Sequence, residues 1–289
     1  MKKVLYRIVM MLSFMLIIIG FFRIGYGSQK NNMAVISCVS SLPAIKVAKT
    51  AEKNMPDRTV VMRIMGAENE LVIGDIKMEI VYQLARRSIV KVTVKDLAGS
   101  GIIWSIGDDL VIVSNRHLLM HDVKAKVVFC NGEQVEATIL GYSQQYDIGF
   151  LKVDKKQVSN AILRDIFEAV PVLYEVEQEA DRDRFVEEYL DRPILQVGAK
   201  LDKNGTYIST GKINDLCFVP VFNTHILKTQ CYAKAGMSGG GVFDEGGKLL
   251  GMISGGDVLE DSVRKESEWT YSIPSILIAT EYEEIAERK

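Results

Sequence analysis

Three short segments of this chain each set one reactive side chain against a run of β-forming apolar residues. Their order along the chain is the strongest constraint on the fold. They are Val111-Ile112-Val113-Ser114-Asn115-Arg116-His117, then Tyr146-Asp147-Ile148-Gly149-Phe150-Leu151-Lys152-Val153, then Ala235-Gly236-Met237-Ser238-Gly239-Gly240-Gly241. They supply a histidine, an aspartate and a serine, in that order. Nucleophilic acyl transfer needs these three types. A serine hydroxyl is a weak nucleophile until an imidazole takes its proton, and a carboxylate holds that imidazole in the working tautomer.

The residues around them read as short strands. Segments 88–94, 101–106, 110–114, 124–130, 134–141 and 148–153 read as short β-forming runs, with hairpin turns at Gly107-Asp108 and Asn131-Gly132. Six short strands at this spacing predict a small antiparallel barrel over 88–154. Residues 155–192 break the rhythm. They read as a helical insertion, either a solvated helix or a regulatory or partner-binding element, with eight acidic residues and two arginines between Glu175 and Asp191. Strands resume at 193–199, 207–212, 216–221, 225–231, 241–243, 249–254 and 270–273 and predict a second barrel over 193–280, followed by a tail over 281–289. The fold class is therefore all-β, with His117 and Asp147 in one barrel and Ser238 in the other. A cleft between two barrels suits an extended substrate.

Chain order excludes the alternatives. Gly-x-Ser-x-Gly also marks the nucleophile elbow of α/β-hydrolases, but there a histidine follows the serine. Here His117, His121 and His225 all precede Ser238. The subtilisin order needs an aspartate before His117 in a motif of its own, and Asp96 and Asp109 read as turn residues. His117 and His121 are four apart, as in a zinc pair, but no glutamate follows His117 and the segment leaves a strand rather than lying mid-helix. No metal and no cofactor is expected.

The chain resembles the trypsin/chymotrypsin-like serine proteases, above all their bacterial HtrA/Deg branch, over residues 88–279. Val113-Ser114-Asn115-Arg116-His117 is similar to the strand-turn that carries that branch's catalytic histidine. Asp147-Ile148-Gly149-Phe150-Leu151-Lys152-Val153 is similar to its Asp-Ile-Ala-Leu-Leu-Lys-Val run, and Gly236-Met237-Ser238-Gly239-Gly240 to its Gly-Asn-Ser-Gly-Gly. Ile194-Leu195-Gln196-Val197-Gly198 and Tyr271-Ser272-Ile273-Pro274-Ser275 extend the likeness. The chain departs from it at Arg116, where alanine is usual, at Met237 and in the insertion, and nothing after Ala279 is long enough for a PDZ domain.

The resemblance implies a double antiparallel β-barrel and a serine endopeptidase with His117, Asp147 and Ser238 as its triad. It places the oxyanion hole at the N–H groups of Gly236 and Ser238. It sets Tyr232, six residues before the nucleophile, near the floor of the S1 pocket. With no aspartate there, a preference for Lys or Arg is disfavoured. Thr270, Tyr271 and Ser272 are expected to pair with the substrate backbone. Digestive relatives carry an aspartate just before the nucleophile, which a newly released amino terminus binds. Met237 cannot form that ion pair, so the enzyme is expected to be competent without cleavage. A catalytically silent protease-fold binding or sensing module is the alternative.

The N-terminus is different in kind. Lys2, Lys3 and Arg7 precede residues 8–22, which carry no charge. That pattern reads as a signal peptide or a signal anchor within residues 1–27, with an extracytoplasmic body held at the cell membrane, or secreted if cleaved. Residues 28–87 read as a linker and N-terminal extension, with a hairpin around Gly66 and a helix from Asp75 to Arg87. In that helix Ile76, Ile80, Val81 and Leu84 share one face. A net charge of −2 leaves no basic footprint for nucleic acid. Cys217 and Cys231 flank a hairpin whose register sets Cys217 opposite Ile226, so free thiols are expected rather than a disulfide.

Overall fold

The computed structural model describes residues 35–36, 60–62, 71–73, 76–174, 179–201, 204–220, 222, 224–256 and 269–287. The apolar run at 8–22 and the signal or anchor reading lie outside these residues. Among the described residues no helix is long and apolar enough to cross a membrane.

The first barrel is closed by six antiparallel strands: β4 (Ile89–Val94), β5 (Leu97–Ile106), β6 (Asp109–Ser114), β7 (Lys124–Val128), β8 (Gln134–Tyr142) and β9 (Gly149–Asp154), ordered β4-β5-β6-β9-β8-β7. Strand alternation fills it. Val90, Val92, Ile103, Leu110, Ile112, Val127, Leu151 and Val153 point into one apolar core. Burying each such side chain stabilises the fold by about 1.5–3 kcal/mol. The opposite faces of β6 and β9 are buried too. Val111, Val113 and Phe150 join a second core with Leu195, Val197, Phe243, Met252 and Ile273. Burial on both faces explains why these strands read as unbroken apolar runs.

The second barrel uses β10 (Pro193–Ala199), β11 (Thr206–Val219), β12 (Thr224–Gln230), β13 (Gly241–Phe243), β14 (Leu249–Gly256) and β15 (Thr270–Pro274). The order β11-β10-β13-β14-β15-β12 closes through the β11–β12 pairing. The two strands expected at 207–212 and 216–221 are one long strand, bulged between Ile213 and Asp215. Cys217 pairs with Ile226 as the hairpin register predicts, and Cys130, Cys217 and Cys231 are free thiols. Burial pushes the Cys231 thiol up to about 12, so it stays protonated and inert.

Four expectations need correction. The last residues are no tail: Ser275–Glu287 is a helix that buries Ile278 and Ile285, and its Tyr282 ring lies 5.3 Å from that of Phe150 in the first barrel. The helix Ile76–Ala85 forms, but it buries Met78, Val81, Tyr82 and Ala85 and leaves Ile80 57% exposed. The Tyr82 hydroxyl selects that face by meeting Thr206 Oγ1 at 3.1 Å. Within the segment read as linker, β1 (Val35–Ile36) adds to the edge of β11 at Tyr207 and Thr206. The acidic insertion helix Glu179–Tyr189 is not solvated all round. Arg182 donates to Leu216 O and to Asp215, while Phe185 and Tyr189 are buried against the second barrel. The hairpin expected around Gly66 is present as β2 (Val60–Met62) and β3 (Leu71–Ile73).

Candidate active site

The neighbouring strands β6 and β9 bring two of the site residues together. Ser114, the last residue of β6, pairs with Gly149, the first of β9. The chain turns at Asn115 into a one-turn helix, Arg116–Leu119, while Asp147 sits two residues before β9. His117 and Asp147 therefore meet at one end of the first barrel. Asp147 Oδ1 accepts the His117 backbone N–H at 2.9 Å, and the His117 Nδ1 lies 2.8 Å from Oδ2 and 3.1 Å from Oδ1. A carboxylate at Nδ1 keeps the proton there and leaves Nε2 as the basic nitrogen.

The loop carrying Asp147 is held at several points. Asn115 Nδ2 donates to Asp147 O at 3.2 Å. Arg116, one of the departures from the resembled family, donates to Gln144 O at 3.0 Å and lies over the Tyr142 ring. Burial alone would pull the imidazolium down. The charge of Asp147 and its hydrogen bond push the other way and prevail, so the His117 pKa lies above the ordinary 6.5.

Ser238 lies in the second barrel, on the turn before β13. Gly236 has φ +96°, and a Cβ on it would come within 2.5 Å of Leu201 Cγ, so only glycine fits. Most backbone donors of the turn are used: Met237 N–H reaches Lys234 O, Gly239 N–H reaches Ile253 O, and Gly240 N–H reaches Met237 O, at 2.8–3.0 Å. Among the described residues the N–H groups of Gly236 and Ser238 have no hydrogen-bond partner. Two unspent donors flanking one residue match what an oxyanion hole requires. Met237 is fully buried in the core of the second barrel, so packing holds the turn where digestive relatives use an ion pair. No hydrogen bond joins Ser238 Oγ to His117 among the described residues.

One site residue escaped the sequence reading. Ser254 Oγ donates to Asp147 Oδ2 at 2.8 Å, across the barrels. Ser254 is the bulged residue of β14, where the register to β15 slips between Ile253 and Gly255, and a bulge re-aims a side chain. The available signal was a single polar residue closing an apolar run before Gly255-Gly256.

The expected substrate-pairing residues lie elsewhere. β15 is hydrogen-bonded on both edges, to β12 through Thr270, Tyr271 and Ser272 and to β14 through the same residues, so it has no free edge for a substrate. Thr270 and Ser272 are buried inside the barrel, and Thr270 Oγ1 reaches Cys231 O at 2.9 Å. Residues 254–256 of β14 face β15 on one side, while the β13 pairing on the other side ends at Met252. Their second edge is unpaired among the described residues. Tyr232 is half-buried, with its N–H on Ser209 Oγ at 3.0 Å. His121 is exposed.

Residues 99–252 match the model of the trypsin-like peptidase domain. The chain is 30% identical to "Serine protease HtrA-like" of Staphylococcus aureus (strain USA300) over 173 residues, which is 55% of this chain and 20% of that protein. The match thus spans about a fifth of the relative's length. Among solved structures, the HtrA-type protease AlgW with a tripeptide superposes with a TM-score of 0.57 at 18% identity, covering 73% of this chain and 64% of that one. The serine endoprotease from Yersinia pestis gives 0.53 at 21% identity, over 72% and 66%. At these identities the two structures establish a shared fold.

Proposed function

The chain belongs to the trypsin-like peptidase family, and on that premise we propose that it is an HtrA-like serine endopeptidase acting through an acyl-enzyme on Ser238. The observation that carries the reading is the hydrogen-bonded His117–Asp147 pair, completed by Ser254 from the barrel that bears Ser238. In this reading His117 Nε2 takes the Ser238 proton as Oγ attacks a peptide carbonyl, and later gives it to the leaving amine. Asp147 orients the imidazole and stabilises its cationic form. The N–H groups of Gly236 and Ser238 receive the oxyanion. The open edge at residues 254–256 takes the substrate backbone as an added strand.

The decisive experiment treats the protein with a fluorophosphonate probe, which labels only an activated serine. Labelling that is lost in Ser238→Ala and in His117→Ala, with no prior cleavage of the chain, is the expected result. Equal labelling of Ser238→Ala would sink the assignment. A peptide aldehyde bound at Ser238 should slow amide exchange at residues 254–256 and leave β15 unchanged. The silent-module reading draws on the missing Ser238–His117 hydrogen bond and predicts no labelling of the wild type. The positive flank and apolar run at 8–22 support an extracytoplasmic catalytic domain. A reporter fused after Lys289 that works only in the cytoplasm would refute that placement.

A further inference from the structure

The catalytic reading leaves one question about the turn at Gly236. A glycine that can adopt φ +96° can also leave it at little cost. The peptide that carries the Ser238 N–H is tied within the turn, by Gly240 N–H on Met237 O, but the peptides beside it need a hold of their own. Burial of the Met237 side chain does not reach Gly236 O or Ser238 O.

Ser100, from β5 of the other barrel, reaches those carbonyls. Its Oγ donates to Gly236 O at 2.6 Å, and its backbone N–H donates to Ser238 O at 2.7 Å. The carbonyls on both sides of Met237 thus rest on one residue. Ser100 is itself fixed on every polar group. Its Oγ accepts the Ala199 N–H at 2.8 Å, and its carbonyl accepts the Ser114 hydroxyl at 2.6 Å. Ser100 and Ser114 are fully buried, so no water competes for these bonds. The fit between strand and turn is close. A Cβ on Gly239, at φ +84°, would fall 2.0 Å from Ser100 O, and one on Gly99 would fall 3.0 Å from Ser238 O.

Resting on the catalytic reading above, we propose that Ser100 is a positioning residue for the oxyanion hole: its hydroxyl and N–H pin the Gly236–Met237 and Ser238–Gly239 peptides, which adjoin the two peptides carrying the Gly236 and Ser238 N–H groups, and so keep those N–H groups aimed at the reacting carbonyl. The hydroxyl is the part that can be removed alone. Ser100→Ala keeps the bond from N–H to Ser238 O and frees Gly236 O, leaving the Gly236–Met237 peptide held only by Met237 N–H on Lys234 O and its neighbours less firmly aimed.

The test is the second-order rate of fluorophosphonate labelling of the full-length chain, measured across pH for wild type, Ser100→Ala, Ser100→Cys and Ser238→Ala. Loss of one oxyanion donor typically lowers rates by about 10²–10³, and a donor present part of the time should lose less. Ser100→Ala is expected to label about 10- to 100-fold more slowly, with the pH midpoint set by His117 unchanged. A residue that only supported the fold would shift the triad's midpoint together with the rate. Ser100→Cys, nearly isosteric with a weaker donor, should fall between the two and covers the case in which the alanine variant does not fold. Labelling of either variant within twofold of wild type overturns the proposal. A wild type labelled no faster than Ser238→Ala removes the catalytic reading, and this role with it.

Discussion

The two barrels build their halves of the site in different ways. The first holds its proposed base and carboxylate by side-chain hydrogen bonds: His117 and Asp147 lie thirty residues apart on adjoining strand ends and meet through both ring and backbone. Its strands enclose an apolar cluster that includes Val92, Ile103, Leu110 and Leu151. The second presents the proposed nucleophile, Ser238, on a backbone turn, and its interior carries a polar chain in which Gln196 Nε2 donates to Thr229 and Thr270 Oγ1 reaches back to Gln196. Neither half is finished by its own barrel. Ser254 of the second completes Asp147, and Ser100 of the first completes the Gly236–Ser238 turn. The apolar core that joins Val113 and Phe150 to Val197 and Met252 is therefore also what sets the catalytic geometry.

The comparison breaks most sharply at Asp147. Asp147→Asn keeps the size and removes the charge that holds the imidazole tautomer. An equivalent change in a serine-protease triad costs about 10⁴ in kcat. A loss of that order is expected in labelling or hydrolysis, with a thermal midpoint close to wild type. A loss under tenfold would mean that the first barrel's pair is structural.

The matching test of the second barrel is Gly236→Ala. The new Cβ cannot clear Leu201 at the observed φ, so the turn must shift and one oxyanion donor is lost. A fall of about 10²–10³ in rate is expected, with His117 and Asp147 untouched. If activity survives, the unspent N–H groups of Gly236 and Ser238 are not the oxyanion hole.

The same contrast decides what the sequence made legible. Strands of the first barrel were readable to within a few residues because Val90, Val92 and Val94 alternate with polar residues, residues 110–113 form an apolar run, and the turns use Gly107 and Asn131-Gly132. His117, Asp147 and Ser238 stood out as single polar residues beside apolar runs. Ser254 did not, because its role comes from a bulge, and a one-residue slip in register leaves no trace in composition. Thr270 and Ser272 were misassigned for a related reason. They alternate like an edge strand, but both edges of β15 are taken by partners distant in sequence. Ser100 was hidden between Gly99 and Gly101, where a hydroxyl reads as a turn.

The smallest expected effect is the most diagnostic of how the halves cooperate. Only neutral His117 can accept the Ser238 proton, so the rate should rise with pH through the His117 pKa. Burial lowers that pKa, while the charge and hydrogen bond of Asp147 raise it by more. The midpoint of the labelling profile should therefore lie above 6.5, not below it. Asp147→Asn removes the raising influence and keeps the burial, so the midpoint of its residual activity should fall. Ser254→Ala acts in the opposite sense. Without the Ser254 hydroxyl the carboxylate shares its charge with His117 alone, the imidazolium is held more tightly, and the midpoint should climb further while the rate at high pH drops only several-fold. Titration of labelling rate against pH for the three proteins measures all of this. A wild-type midpoint below 6.5 would show that Asp147 does not outweigh burial at His117, and equal midpoints for wild type and Ser254→Ala would show that the second barrel does not tune the His117–Asp147 pair.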